Sequence, residues 1–212
     1  GSVSAHTGSR TIRYAGQHVG HQFSVQANMM ASDTVPAAMA KAYEASEGQP
    51  LALRLLAALE AAQAEGGDFR GQQSAALKVV SGDLHKNSWE GVLYDVRVDD
   101  HVAPVAEMRR IVHRYMAYHI ADEAALLVNA KDYQSAMKRI ADAVNLDPHD
   151  AQIRFWFALD LADNGGMTHA EPMLRELLRD PMWLECAVRY EETRPFKTAD
   201  LVERLRELAA QG

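Results

Sequence analysis

One cysteine, no long apolar run and no surplus of basic residues set the first limits on this chain. With Cys186 alone, neither an internal disulfide nor a thiolate metal cluster can form, and a buried structural thiol is expected. No stretch approaches the ~20 apolar residues that a bilayer-crossing helix needs, and no basic-then-apolar leader opens the chain, so it reads as cytoplasmic. The formal net charge is −7, with eight Lys/Arg against eleven Asp/Glu in residues 1–100 and fourteen against eighteen thereafter. Nucleic acids and anionic membrane surfaces both ask for clustered Lys and Arg, so no nucleic acid and no membrane is expected as a partner.

What is present has a globular balance, 48% apolar and 24% charged over 212 residues, enough for two small domains. Arg10–Tyr14, with β-branched Thr11 and Ile12, and His21–Asn28, with Phe23 and Val25, read as adjacent antiparallel strands separated by Gly16 and Gly20. Asp33 or Thr34 offers an N-cap before Pro36, and Val35, Met39, Ala42 and Tyr43 predict a helix to about Ser46. Gly48 stops it and Pro50 restarts it. Leu51, Leu55, Ala58, Leu59 and Ala62 then form one apolar stripe that Gly66-Gly67 ends. Ser74–Ser81 reads as a strand, and the alternation of Val92, Tyr94, Val96 and Val98 with polar neighbours is the clearest strand signal.

From Pro104 onward strand signals vanish and helical periodicity takes over, which places a domain boundary near Asp99-Asp100: 1–100 α+β, 101–212 all-α. Asp147-Pro148 recurs as Asp180-Pro181 and Ala136 as Ala170, at the 33- to 34-residue period of tetratricopeptide repeats. Asp122–Pro148 and Asp150–Pro181, the latter broken by Asn164-Gly165-Gly166, are the two expected antiparallel hairpins. Three consecutive aromatics, Phe155, Trp156 and Phe157, cannot all face inward, so at least one should be partly exposed.

Ala5-His6-Thr7-Gly8, Ala15-Gly16, Gln26-Ala27-Asn28-Met29-Met30, the run Gly66-Gly67-Asp68-Phe69-Arg70-Gly71-Gln72-Gln73-Ser74 and Arg97-Val98-Asp99-Asp100-His101 resemble the domain of unknown function numbered 1028 over roughly residues 3–120. The resemblance implies part of an N-terminal-nucleophile (Ntn) hydrolase-like layered sandwich, with a tetratricopeptide-like tail of the kind described in the family as peptidoglycan-binding. Family domains begin with strands upstream of the His-Thr-Gly motif, so residues 1–100 read as an incomplete domain whose nucleophile lies outside this chain. Such hydrolases attack with the side chain of the mature N-terminal residue and use its free amine as base. Gly1 has no nucleophile, so the isolated chain is expected to be inactive.

The candidate site residues follow from residue type and placement. Asp68 and Arg70 sit in a glycine-bordered turn between helix and strand. There Asp68 can hold an amine and Arg70 a carboxylate; a helix cap with a surface ion pair is the plain alternative. Asn28, and with it Gln26 on the same strand face, can donate to a developing oxyanion. Asn28 and Asp68 are the catalytic candidates; Gln26, Gly67, Arg70, Gln72 and Ser74 are the substrate-binding ones, and all are expected to line a common hollow. His18 and His21 would point to opposite faces of a strand, so no metal and no cofactor is expected. Two functions compete. One is hydrolysis of an amide bond in a small molecule or peptide; the other is a noncatalytic module that binds a protein segment or peptidoglycan through its helices. Missing strands would leave a sheet edge open, so a homo-oligomer, or association with an upstream segment, is expected.

Overall fold

The computed structural model describes residues 1–87 and 89–211 and contains eight helices and two small sheets among them. It divides into two units, Gly1–Val112 and His113–Gly212, and the division falls within a single helix.

In the first unit β1 (Gly16–Gly20) pairs antiparallel with β2 (Phe23–Ala27), in register from Gly16 opposite Ala27 to Gly20 opposite Phe23. The first strand is therefore not Arg10–Tyr14. That segment forms a turn, in which Thr11 donates from its amide and from its hydroxyl to the Gly8 carbonyl, and Tyr14 takes a φ of 62°. Local hydroxyl-to-backbone bonds of this kind compete with an extended conformation. The glycines that seemed to separate two strands instead bound one. Gly20 leaves room there for the Phe23 ring, which a Cβ at that position would meet at 2.0 Å and displace.

Helices α1 (Val35–Ala45) and α2 (Leu51–Ala64) follow as their apolar spacing predicts, with Pro36 in the first turn of α1. Thr34 occupies the N-cap position of α1 without capping it, since its hydroxyl donates to Glu65 instead. Strands β3 (Ala75–Val80) and β4 (Val92–Val98) form the second antiparallel pair. Leu77, Val79, Val96 and Val98 are buried, and Lys78 meets Asp95 at 2.9 Å on the outer face. Val35, Ala40, Ala52, Leu56 and Ala58 supply the helical part of this unit's core.

Helix α3 (Pro104–Asn129) runs unbroken for 26 residues, so Asp122 lies inside it and does not open a hairpin. No signal for a break exists between Pro104 and Asn129, which contain no glycine and no further proline. The second unit continues with α4 (Tyr133–Leu146), α5 (Ala151–Asp163), α6 (Met167–Leu177), α7 (Pro181–Thr193) and α8 (Leu201–Ala210). The hairpin expected over Asp150–Pro181 is present as α5 and α6, with Asn164-Gly165-Gly166 between them. Asp132, Asp150 and Asp180 each accept a backbone N–H at the start of the following helix. The two Asp-Pro pairs are not equivalent: Asp147-Pro148 precedes α5 by a short turn, whereas Asp180-Pro181 is itself the cap and first residue of α7.

Phe155 and Phe157 are buried and Trp156 is half-buried, so one of the three aromatics does face outward. Phe155 packs against Trp183 with ring centroids 4.6 Å apart. Cys186 is half-buried at the margin of this core rather than enclosed by it. Arg114 binds Asp147 at 2.7 Å and Asp150 at 3.4 Å, and Tyr118 donates to Asp150 at 3.1 Å. This cluster ties the second half of α3 to the α4–α5 turn. Burial, reinforced by the Asp150 charge, pushes the Tyr118 hydroxyl pKa above its ordinary value.

Candidate functional site

The end of α2 determines where the Asp68 turn points. Gly66 N–H donates to Gln63 and Gly67 N–H to Ala62, a Schellman closure that satisfies the last carbonyls of the helix. Gly66 has a φ of +103°, and a Cβ there would meet the Ala31 Cβ at 2.9 Å, so only glycine fits without a shift. The chain then leaves the helix alongside the segment that follows β2. Ala31 N–H donates to Gly67, Phe69 N–H donates to Met29, and Met30 forms an isolated antiparallel bridge with Asp68.

Asp68 and Arg70 pair within this turn. Asp68 Oδ1 accepts from Arg70 N at 2.9 Å and Nε at 3.0 Å, and Oδ2 accepts from Nη2 at 2.6 Å. The side-chain bond from Arg70, with its backbone N–H second, lowers the Asp68 pKa to about 2. The carboxylate is thus firmly ionised at neutral pH. Arg70 spends one edge of its guanidinium on Asp68, so a bidentate grip on another carboxylate has to use the Nη1–Nη2 edge.

Both residues border a hollow of about 530 Å³, which Gln72, Ser74, Gln63 and Asp100 also line. Asp100 and Gln63 were not among the candidates. Asp100 reads in the sequence as an acid preceding a helix, but the Ala103 N–H is met by His101 Nδ1 at 3.0 Å, and His101 N–H donates to Gln73 at 2.9 Å. That second bond brings the β4–α3 connection beside the Gln72–Ser74 segment. Only the long-range pairing of Gln73 with His101 reveals this; no local signal does.

Asn28 and Gln26 are exposed and border a different hollow of about 290 Å³, together with His6, Thr7 and Gly16. The two hollows share no lining residue, so the expected common cavity is replaced by two. Gln26 is in β2, its amide donating to Ser24 at 2.7 Å, whereas Asn28 lies just past the strand's end. Asn28 and Asp68 nevertheless belong to joined backbone, since Met29 and Met30 pair with Phe69 and Asp68. Gly67 does not line the larger hollow; its carbonyl holds Ala31 and its amide closes α2.

The larger hollow offers two carboxylates, a partly engaged guanidinium, several side-chain amides and the Ser74 hydroxyl. It can accept from N–H groups and donate to a carbonyl. Among the described residues no imidazole, amine or thiol lines it to act as base or nucleophile beside Ser74. No helix among the described residues is long and apolar enough to cross a membrane.

Comparison with known proteins agrees with the motifs that build this turn. No curated protein and no solved structure matches the chain. A family model does match, over residues 1–108, which is half of the chain and contains every residue lining the two hollows. The chain therefore belongs to the family of unknown function DUF1028.

Proposed function

We propose that the hollow bordered by Asp68, Arg70, Gln72, Ser74 and Asp100 binds and orients an amide, in a small molecule or peptide, for hydrolysis by an Ntn-hydrolase-like protein. The observation that carries this reading is Asp68, held by three hydrogen bonds from Arg70 in the lining of a polar hollow with Asp100 as a second acid. An amide presents one N–H and one C=O. Carboxylates complement the first, and Gln72 and the free edge of Arg70 complement the second. In this reading residues 1–100 form an Ntn-hydrolase-like sandwich domain, and the attacking group comes from polypeptide outside the hollow. The oxyanion role passes from Asn28 to Gln72, because Asn28 borders the other hollow.

Two measurements test it. A panel of small amides is titrated into isotope-labelled protein; a binder should shift signals of residues 68–74, and Asp68→Asn should abolish that shift. The full native protein is then assayed for amide hydrolysis that depends on its mature N-terminal residue. Absence of such turnover across the panel defeats the proposal.

The partly exposed Trp156, between the buried Phe155 and Phe157, favours a second reading. Here residues 101–212 form a tetratricopeptide-like module that binds a protein segment or peptidoglycan, and the α+β part is a cytoplasmic support. Co-sedimentation of the whole chain with purified peptidoglycan, compared with Trp156→Ala, separates the readings. Equal recovery of both proteins counts against the module.

A further inference from the structure

The second unit contains a hollow of about 240 Å³ where α5, α7 and the segment after α7 meet. Three rings line it in series. Trp156 and Tyr190 have centroids 5.2 Å apart, and Tyr190 and Phe196 are 5.6 Å apart and nearly parallel. Four charged side chains also border it, two of each sign, so a ligand with no net charge suits it best.

Two of those charges are already committed. Lys197 donates to Asn164 Oδ1 at 3.0 Å, and Asp163 Oδ1 accepts the Thr198 N–H at 2.9 Å. The other two keep binding capacity. Asp160 uses Oδ1 to accept from the Asn164 side chain at 2.9 Å, while its Oδ2 is buried and has no partner among the described residues. Buried acceptors without partners are rare in folded proteins and point to a missing donor. Arg194 is exposed, lies 6.0 Å from the Tyr190 ring centroid, and forms no ion pair among the described residues. Burial raises the Asp160 pKa against the opposing pull of Lys197, which accords with one of its two oxygens being unpaired.

We propose that this hollow binds a free α-amino acid with an apolar or aromatic side chain, its ammonium on Asp160, its carboxylate on Arg194 and its side chain against Trp156, Tyr190 and Phe196. Each alternative of one sign meets an opposing group. A simple cation encounters Lys197 and Arg194, and a simple anion encounters Asp160 and Asp163. Aromatic walls with a few convergent polar groups are the usual make-up of small-molecule sites. A space of about 240 Å³ is of the size class of one amino acid rather than a long peptide. The site goes beyond both functional readings above and depends on neither.

The test is calorimetric titration of the whole chain with L-phenylalanine, L-leucine, glycine, N-acetyl-phenylalanine and phenylalanine amide. L-phenylalanine should bind with a dissociation constant below about 1 mM, and blocking either end should weaken binding at least tenfold. Arg194→Gln, an exposed change, should abolish the preference for phenylalanine over its amide. Asp160→Asn should abolish the preference over the N-acetyl form. No binding of any free amino acid up to about 10 mM by a folded protein overturns the proposal. So does equal affinity for free and blocked forms, or for glycine and phenylalanine.

Discussion

Gly66→Ala is the most informative single change in the turn that carries Asp68. It combines two costs that neighbouring positions separate. A side chain in a left-handed conformation costs about 1–2 kcal/mol. Forcing a methyl to within 2.9 Å of the Ala31 Cβ adds an overpacking cost of about 1–3 kcal/mol. Ala31 cannot rotate away, because its Cβ moves only with the backbone that its N–H ties to Gly67 at 2.8 Å. Gly71 has nearly the same φ, +105° against +103°, but a Cβ there meets nothing within 4 Å. Gly71→Ala should therefore show the first cost alone, and the ~0.4–1 kcal/mol gained from a stiffer unfolded chain is common to both variants. Urea unfolding followed by circular dichroism should place Gly66→Ala about 1–3 kcal/mol below Gly71→Ala, with unchanged m-values. Adding Ala31→Gly to Gly66→Ala should return a favourable coupling of similar size. Equal losses for the two glycines, or no coupling with position 31, would refute the packing argument.

Carboxyl NMR should find Asp68 titrating near 2 in the native protein and higher in Arg70→Ala, though still below its ordinary value, because the residue-70 N–H goes on donating to the carboxylate. Because the folded value is depressed, the pair's contribution is present above the ordinary Asp pKa and lost as pH falls towards about 2. Arg114→Ala should leave Asp147 and Asp150 buried without their cation and destabilise the second unit. The loss should be about 1–3 kcal/mol by urea unfolding, less than for a fully buried pair because Arg114 is partly solvated. Asp180→Ala removes the acceptor for Met182 N–H and should cost about 1 kcal/mol in the same measurement, with Asp180→Asn nearly neutral.

Local signals made much of the first unit legible. The stripe Leu51–Ala62 and the alternation Val92–Val98 both locate their elements to within a residue or two, because apolar periodicity is a direct consequence of one buried face. Gly16–Gly20 escaped notice because a glycine-rich strand has no side-chain pattern; what fixes it is the ring of Phe23 covering Gly20. Asp68 and Arg70 were legible because two glycines after a helical stripe announce a turn. The separation of Asn28 from that turn's hollow was not, since it depends on which cavity each strand end borders. The recurrence of Asp-Pro located two helix boundaries, yet identical dipeptides serve as different parts of them, a distinction set by the residues that follow.

The two strand pairs have a consequence for how the first unit holds its order. A lone two-stranded hairpin is at best marginal in water, and neither pair here is extended by a third strand among the described residues. Their persistence is borrowed from α1 and α2, which carry the buried aliphatic layer. Loosening that helical pair should release both hairpins in a single event, so that amide protons far apart in sequence exchange with solvent at one common rate.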